Sequence, residues 1–108
     1  MSEESQIVVP ASFIALFLTP GRERPSLSRD ALATRHELCE DLASMLMELA
    51  QAQRRDLGIA EIDVLRRIQR GLLGDAAGLN AAEAGWVATR LAELLHWNWP
   101  TWEDAGVG

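Results

Sequence analysis

Lysine and tyrosine are both absent from the 108 residues, and all ten cationic side chains are arginine. Without lysine the chain can form neither a P-loop phosphate site of the usual kind nor a Schiff base with a carbonyl substrate. Without tyrosine it also lacks a phenolic general acid. These absences exclude several large classes of enzyme mechanism before any motif is considered.

Cysteine is nearly absent as well, since Cys39 is the only one. A single cysteine can form neither an intrachain disulfide nor a cysteine-rich zinc site, and this usage is typical of a reducing compartment. The first four residues are acidic where a secretory signal is basic, and the apolar run 7–18 is interrupted by Pro10 and too short to cross a bilayer. We therefore expect a cytoplasmic protein with no membrane segment.

The overall composition is that of one globular domain. Apolar residues make up 48% of the chain, whereas proline and glycine together number only 12. We therefore predict a single domain over residues 1–108, with flexible ends at 1–6 and 103–108. The net charge of −6 disfavours undirected binding to nucleic acid or anionic lipid.

Hydrophobic periodicity of about 3.6 residues and helix-capping residues predict four helices, and no strand-like alternation occurs. Their expected ranges are 10–18, 28 or 29 to 56, 61 to 71 or 73, and 80–96. Short connections between such helices favour neighbours that are mostly antiparallel. The predicted fold is therefore an all-α, compact bundle of about four helices.

The second helix carries the clearest apolar stripe in the sequence. Leu38, Leu42, Met45 and Leu49 are separated by four, three and four residues, which aligns them on one helical face. We predict that this face is buried. Ser28 is expected to cap the start of the helix, and a left-handed Gly58 is expected to end it.

The third and fourth helices show the same kind of pattern. Buried stripes are predicted at Ile62, Leu65, Ile68 and Leu72 in the third, and at Trp86 or Val87, Leu91, Leu94 and Leu95 in the fourth. Asn80 and Glu83 have the spacing of a capping box. Small side chains at Ala84, Ala88 and Ala92 should let a neighbouring helix approach closely, and Trp97 is expected to fold back onto the bundle.

His36, Cys39 and Glu40 form the one cluster with metal-ligand chemistry, because positions i, i+3 and i+4 share a helical face. No second histidine and cysteine group accompanies them, so a small buried cysteine beside a histidine at the edge of the helix is the favoured interpretation. The serines lack the G-x-S-x-G pattern, and the glycines after the third helix lack a P-loop ending. We therefore predict no catalytic, cofactor-binding or metal-binding residue, and no cofactor.

Two surfaces are candidates for binding. The first combines the apolar first helix, the loop after it and the tryptophan-rich end of the chain, because tryptophan is enriched in binding surfaces; its residues are Phe13, Phe17, Arg22, Trp99 and Trp102. The second is a face of the third helix that could approach a phosphate backbone, formed by Arg66, Arg67 and Arg70. Acidic residues at the start of that helix and the negative net charge favour salt bridges as the use of these arginines.

Several stretches of the chain together resemble a family of short, uncharacterised proteobacterial helical proteins, and the similarity covers about residues 6–97. They are residues 9–17 with 20–22, 37–43, 57–61, and 83–87 with 90–95. Members of that family usually have an aromatic residue where His36 stands and threonine where Ala60 stands. Some members are labelled "ATPase with chaperone activity", so the resemblance implies a bacterial, chaperone-linked factor but carries no functional residue to this chain. The missing P-loop and lysine do not fit an ATPase.

Taken together, these features favour a small non-enzymatic module for protein–protein interaction or regulation. The partner is an unidentified protein, and a second copy of the chain forming a homodimer is one candidate. The alternatives are a nucleic-acid-associated regulator that uses the arginine face, and the chaperone-linked factor that the resemblance implies.

Overall fold

The protein is all-α, as predicted, with helices that pack against one another in a bundle. The computed structural model describes residues 9–18, 21, 25–74 and 78–98, and within these ranges there is no strand. The helices are α1 (Ala11–Ile14), α2 (Arg29–Leu57), α3 (Glu61–Leu72) and α4 (Ala81–Leu95), with a 3₁₀ turn at Ala15–Phe17 directly after α1.

The first helix is shorter than the apolar run predicts. The carbonyl of Pro10 accepts hydrogen bonds from the backbone N–H groups of Phe13 and Ile14, which starts α1. The chain then tightens into the 3₁₀ turn, and Leu18 is extended. Phe13 is nevertheless fully buried, so this short segment anchors the N-terminal end of the described chain in the core.

Capping residues identified in the sequence define the ends of the long helices. Ser28 Oγ accepts a hydrogen bond from the backbone N–H of Ala31 at the start of α2, and Gly58 ends that helix with a φ of 66°. At the start of α4, Asn80 and Glu83 form the predicted capping box. These interactions satisfy backbone groups that the first and last turns of a helix leave unpaired.

The end of α4 uses a residue other than glycine in the left-handed conformation. His96 has a φ of 61°, and the backbone N–H of Trp97 donates to the carbonyl of Ala92 at 2.8 Å. This hydrogen bond across five residues is the Schellman arrangement, in which the residue beyond the cap folds back onto the helix. Trp97 accordingly packs against the core, as the sequence predicts.

Helix α4 is the centre of the core, because it packs against both α2 and α3. Val87, Leu91 and Leu95 are buried on it, and the small residues Ala84, Ala88 and Ala92 are buried as well. From α3, the side chains of Val64, Leu65, Ile68 and Leu72 complete the core, whereas Ile62 is only half-buried.

The prediction of the buried face of α2 was wrong. The side chains of α2 that lie in the core are Leu32, His36, Cys39, Ala43 and Ala50. Of the predicted stripe, Met45 is 72% exposed, Leu49 45% and Leu38 37%, and Leu42 is half-buried. The reason is that contacts to α4 made by Arg35, His36 and Glu40 fix the rotation of α2, and the positions that this rotation buries are mostly small, so the large leucines lie on other faces.

An ion pair fixes α2 against the start of α4. The Nε and Nη2 groups of Arg35 donate to the two carboxylate oxygens of Glu83 at 2.8 and 2.6 Å, and Nη2 also donates to the carbonyl of Gly78. Glu83 is 1% exposed. Burial disfavours its ionised form, but the hydrogen bonds from Arg35 and from the backbone N–H of Asn80 outweigh this and hold the pKa of Glu83 below its ordinary value. One carboxylate therefore both caps α4 and binds α2.

Within the described residues, no helix combines the length and the apolar character that a membrane span needs.

We predict that Glu83→Gln lowers the free energy of unfolding by about 2 kcal/mol at pH 7, because glutamine keeps the capping geometry but loses the charged pair with Arg35. The folded-state pKa of Glu83 is depressed, so its contribution is present above the ordinary pKa of 4.5 and is lost as the pH falls through the folded-state value. The difference between wild type and variant should therefore shrink on acidification. Urea unfolding followed by circular dichroism between pH 7 and 3 measures it.

Glu93→Gln is the matched control, since the Glu93 side chain is 60% exposed and takes one hydrogen bond, from Arg90. Its effect should be small at every pH. A Glu83→Gln variant as stable as the Glu93→Gln variant at neutral pH would show that the buried pair does not hold α2 to α4.

Candidate interaction surface

Three exposed apolar residues of α2, Leu38, Met45 and Leu49, lie along one face on the outside of the bundle, with the half-buried Leu42 between them. We call Leu38, Leu42, Met45 and Leu49 the outer stripe. Each lies three or four residues after the previous one, so the four side chains follow one face of the helix. Single exposed leucines are common on protein surfaces, but three exposed apolar side chains aligned over three turns are typical of a face that contacts another helix.

One side of the outer stripe is bordered by carboxylates. We call Glu37, Asp41 and Glu48 the acidic margin; all three are exposed. Asp41 follows Leu38 by three residues, and Glu48 follows Met45 by three, so each carboxylate lies on the helical row next to an exposed apolar side chain. Among the described residues, no arginine forms a salt bridge with any of the three.

Several arginines of α2 and α4 are engaged elsewhere. Arg55, which lies on the helical row of the acidic margin two turns beyond Glu48, is 3.2 Å from Asp56. Arg35 is bound to Glu83, and Arg90 makes hydrogen bonds to both carboxylate oxygens of Glu40 and to Glu93. Arg54 lies 3.6 Å from Glu61 across the turn between α2 and α3. The charge of the acidic margin is therefore not neutralised by these neighbouring arginines.

A groove of about 1090 Å³ lies between the N-terminal segment, α2 and α4. His36 and Trp86 line it, and the buried Phe13 completes an aromatic cluster with them in which the three rings meet edge to face, with centroids 5.2–5.5 Å apart. The indole N–H of Trp86 donates to Ser12 Oγ at 3.0 Å, which holds the N-terminal segment against α4. The polar end of the groove is occupied by the ion pair of Glu40 with Arg90. The contacts of this groove therefore serve mainly to join the three elements.

His36 is more deeply placed than the edge position expected from the sequence. It is 8% exposed, and its Nδ1 atom is buried without a hydrogen-bond partner in the described part of the chain. The two other members of the predicted metal cluster lie in different environments. Cys39 is buried in the core, and Glu40 forms a salt bridge with Arg90. Within the described ranges, no group of three histidine, cysteine or carboxylate side chains converges on a point that could hold a metal ion.

Burial also determines the chemistry of Cys39. Its side chain is fully buried, and this burial, reinforced by the charge of Glu83 and opposed by that of Arg35, raises the pKa of the thiol to about 12. The thiolate is the nucleophilic form of cysteine, so the group is almost entirely protonated at neutral pH. Cys39 therefore acts as a small core side chain.

The residues predicted for the first binding surface do not form one surface among the described residues. Phe13 has no exposed area, because it packs between Phe17, His36 and Trp86, and it therefore contributes to the core rather than to a surface. Phe17 is half-buried. The other three members of that surface, Arg22, Trp99 and Trp102, lie outside the described residues.

The arginines of the predicted nucleic-acid face are on the outside of α3. Arg66, Arg67 and Arg70 are all exposed, opposite the buried stripe of that helix. Asp63, also exposed, precedes Arg66 and Arg67 on the same helix. These three side chains are therefore accessible to solvent, whereas the first turn of α3, which precedes them, is acidic.

Comparisons with protein-family models, with curated proteins and with solved structures give no match to this chain. The resemblance to the proteobacterial family stays a prediction, and so does the chaperone label that it carries. The function is therefore inferred from the residues themselves and from where the fold places them.

We predict that Cys39 in the folded protein is inert to a thiol reagent such as DTNB at pH 8, because the thiol is buried and protonated. Its labelling should accelerate in parallel with unfolding as urea is added. Ser44→Cys provides the control, since Ser44 is exposed on the same helix and a thiol there should react within the first minutes. Rapid labelling of Cys39 in the absence of urea, with no change in circular dichroism, would contradict the placement of Cys39 in the core.

Proposed function

We propose that this protein is a small non-enzymatic module for protein–protein interaction, and that the outer stripe of α2 is its contact surface. The observation that carries the proposal is the exposure of Leu38, Met45 and Leu49 in a folded chain whose core is complete without them. The occupant we assign to the surface is a helix of a partner protein, because side chains spaced by three and four residues fit the grooves of another helix.

The energetics of the outer stripe support binding. Complete burial of a leucine or methionine side chain contributes about 1.5–3 kcal/mol relative to exposure. Covering the exposed parts of Met45 and Leu49 therefore supplies a substantial share of the free energy of a micromolar complex, which is about 8 kcal/mol. No part of the present core would need to open for this to happen.

The chemistry of the buried polar groups supports a role other than catalysis. The carboxylate of Glu83 is used twice, once in the helix cap and once by Arg35. Cys39 is protonated and enclosed. Neither group has the access to solvent that a nucleophile or a general base requires. A lone protonated cysteine also suits the reducing cytoplasm, which we propose as the place where the module works, in a bacterial cell.

The exposed Arg66, Arg67 and Arg70 support one alternative, a nucleic-acid-associated regulator. The net charge of −6 acts against it. Strong retention on immobilised DNA or RNA that falls steeply with salt and is lost in an Arg66→Ala, Arg67→Ala, Arg70→Ala variant would favour the alternative over an interaction module.

The proposal is tested by affinity capture from cells that naturally contain the protein, with Met45→Ser, Leu49→Ser as the variant bait. Because Met45 is 72% and Leu49 45% exposed and neither belongs to the core, we expect the variant to remain folded, with its thermal midpoint within a few degrees of wild type. Because they supply the apolar contact, we expect it to lose the proteins that wild type recovers, with recoveries at least about tenfold lower.

Leu57→Ser, Leu73→Ser is the matched control, since these leucines are 50% and 49% exposed and lie off the outer stripe. It should recover the same proteins as wild type. A further bait, Trp99→Ala, Trp102→Ala, examines the surface predicted at the end of the chain. If the outer-stripe variant recovers wild-type amounts of partner, the assignment of the surface to α2 is wrong.

A further inference from the structure

We infer that the partner of the outer stripe is a basic amphipathic helix, one that places arginine or lysine beside an apolar stripe of its own. This inference rests on the proposed function and adds the charge of the partner to it. It depends on the acidic margin and on the absence of cationic side chains from the same part of α2.

The distribution of charge along α2 is uneven. Residues 36–53 contain four carboxylates and neither lysine nor arginine, and Glu40 is the one of the four that Arg90 holds. The other three are the acidic margin. A partner helix lying on the outer stripe therefore brings its own flanking residues within reach of Asp41 and Glu48, which are exposed and accept no hydrogen bond from an arginine of the described chain.

The length of the surface sets the length of the partner segment. From Leu38 to Leu49 the helix advances about 16 Å, at about 1.5 Å per residue. A partner helix of three to four turns covers this distance and carries its apolar residues at the same three- and four-residue spacing. Cationic side chains on the row next to that spacing meet the acidic margin.

A second copy of the chain fits this surface less well than a basic helix. If two copies pair through the outer stripe in antiparallel fashion, Asp41 of one lies near Glu48 of the other, and this happens twice by symmetry. Like charges at the edge of a helix pair are destabilising. The acidic margin therefore disfavours self-association and favours a partner of opposite charge.

The inference is tested with the full-length protein and two labelled synthetic helices of about 20 residues, a length at which a helix can form on binding. Both carry leucine at three- and four-residue spacing; one has arginine on the flanking positions and the other has glutamate. Fluorescence anisotropy should show the basic peptide binding at least about tenfold more tightly than the acidic one, and this preference should weaken with salt.

A charge-matched pair of variants distinguishes the acidic margin from the negative charge of the whole protein. Asp41→Asn, Glu48→Gln should weaken binding of the basic peptide about fivefold, because two favourable contacts are removed. Asp30→Asn, Asp63→Asn changes the net charge by the same amount at exposed positions away from the outer stripe, and should leave the affinity within about twofold. Equal losses in the two variants would overturn the inference.

Other occupants of the surface give different results. A dimer of the free chain that becomes monomeric with Met45→Ser, Leu49→Ser in sedimentation would assign the surface to a second copy and overturn the inference. A gain of about fivefold or more in affinity for the basic peptide with Trp99→Ala, Trp102→Ala would assign it to the chain's own C-terminal segment, with the same consequence.

The peptide results also separate this inference from the proposed function. If the acidic peptide binds as tightly as the basic one, or if neither binds, the basic-helix assignment is wrong. The proposed function would still stand if capture of natural partners depends on Met45 and Leu49. The proposed function is wrong if capture does not depend on Met45 and Leu49, regardless of which peptide binds.

Discussion

The rotation of α2 where it packs on α4 determines how the rest of the molecule is arranged. Cys39 and Ala43 are fully buried on α2, and Val87 and Leu91 are fully buried on α4. A helix whose buried positions are small can approach its neighbour closely, and its rotation about its own axis is then fixed by which positions face that neighbour. For α2, this rotation places its largest apolar side chains on the outside.

The ion pair between Arg35 and Glu83 supports the same arrangement by a different kind of interaction. It joins the first third of α2 to the first turn of α4, where the capping box already orders Glu83. A buried carboxylate needs all of its hydrogen bonds to be satisfied, so it tolerates little displacement of either helix. The aromatic cluster of Phe13, His36 and Trp86 then holds the N-terminal segment against both α2 and α4.

The helix caps and most of the buried residues of α3 and α4 could be predicted from the sequence, but the rotation of α2 and the contact between Arg35 and Glu83 could not. The caps at Ser28, Gly58 and Asn80 depend on residues within one helical turn, so they can be identified from neighbours in the sequence. The rotation of α2 cannot, because counting large apolar residues selects Leu38, Met45 and Leu49 over alanine, cysteine and histidine. Arg35 and Glu83 are 48 positions apart, and no local pattern connects them. The apolar stripe of α2 could therefore be identified from the sequence, but it was predicted to be buried, whereas Leu38, Met45 and Leu49 are exposed.

The exposure of Met45 in the folded, unbound protein is the feature on which the proposed surface depends most directly. Oxidation by dilute hydrogen peroxide, followed by peptide mass spectrometry, measures it, because methionine oxidises according to its access to solvent. Met45 is 72% exposed, whereas Met47, two residues along the same helix, is half-buried against the core. We expect Met45 to oxidise several times faster than Met47, with no loss of helical circular dichroism. Protection of Met45 to the same degree as Met47 in the monomeric chain would contradict the orientation of α2 and, with it, the proposed surface.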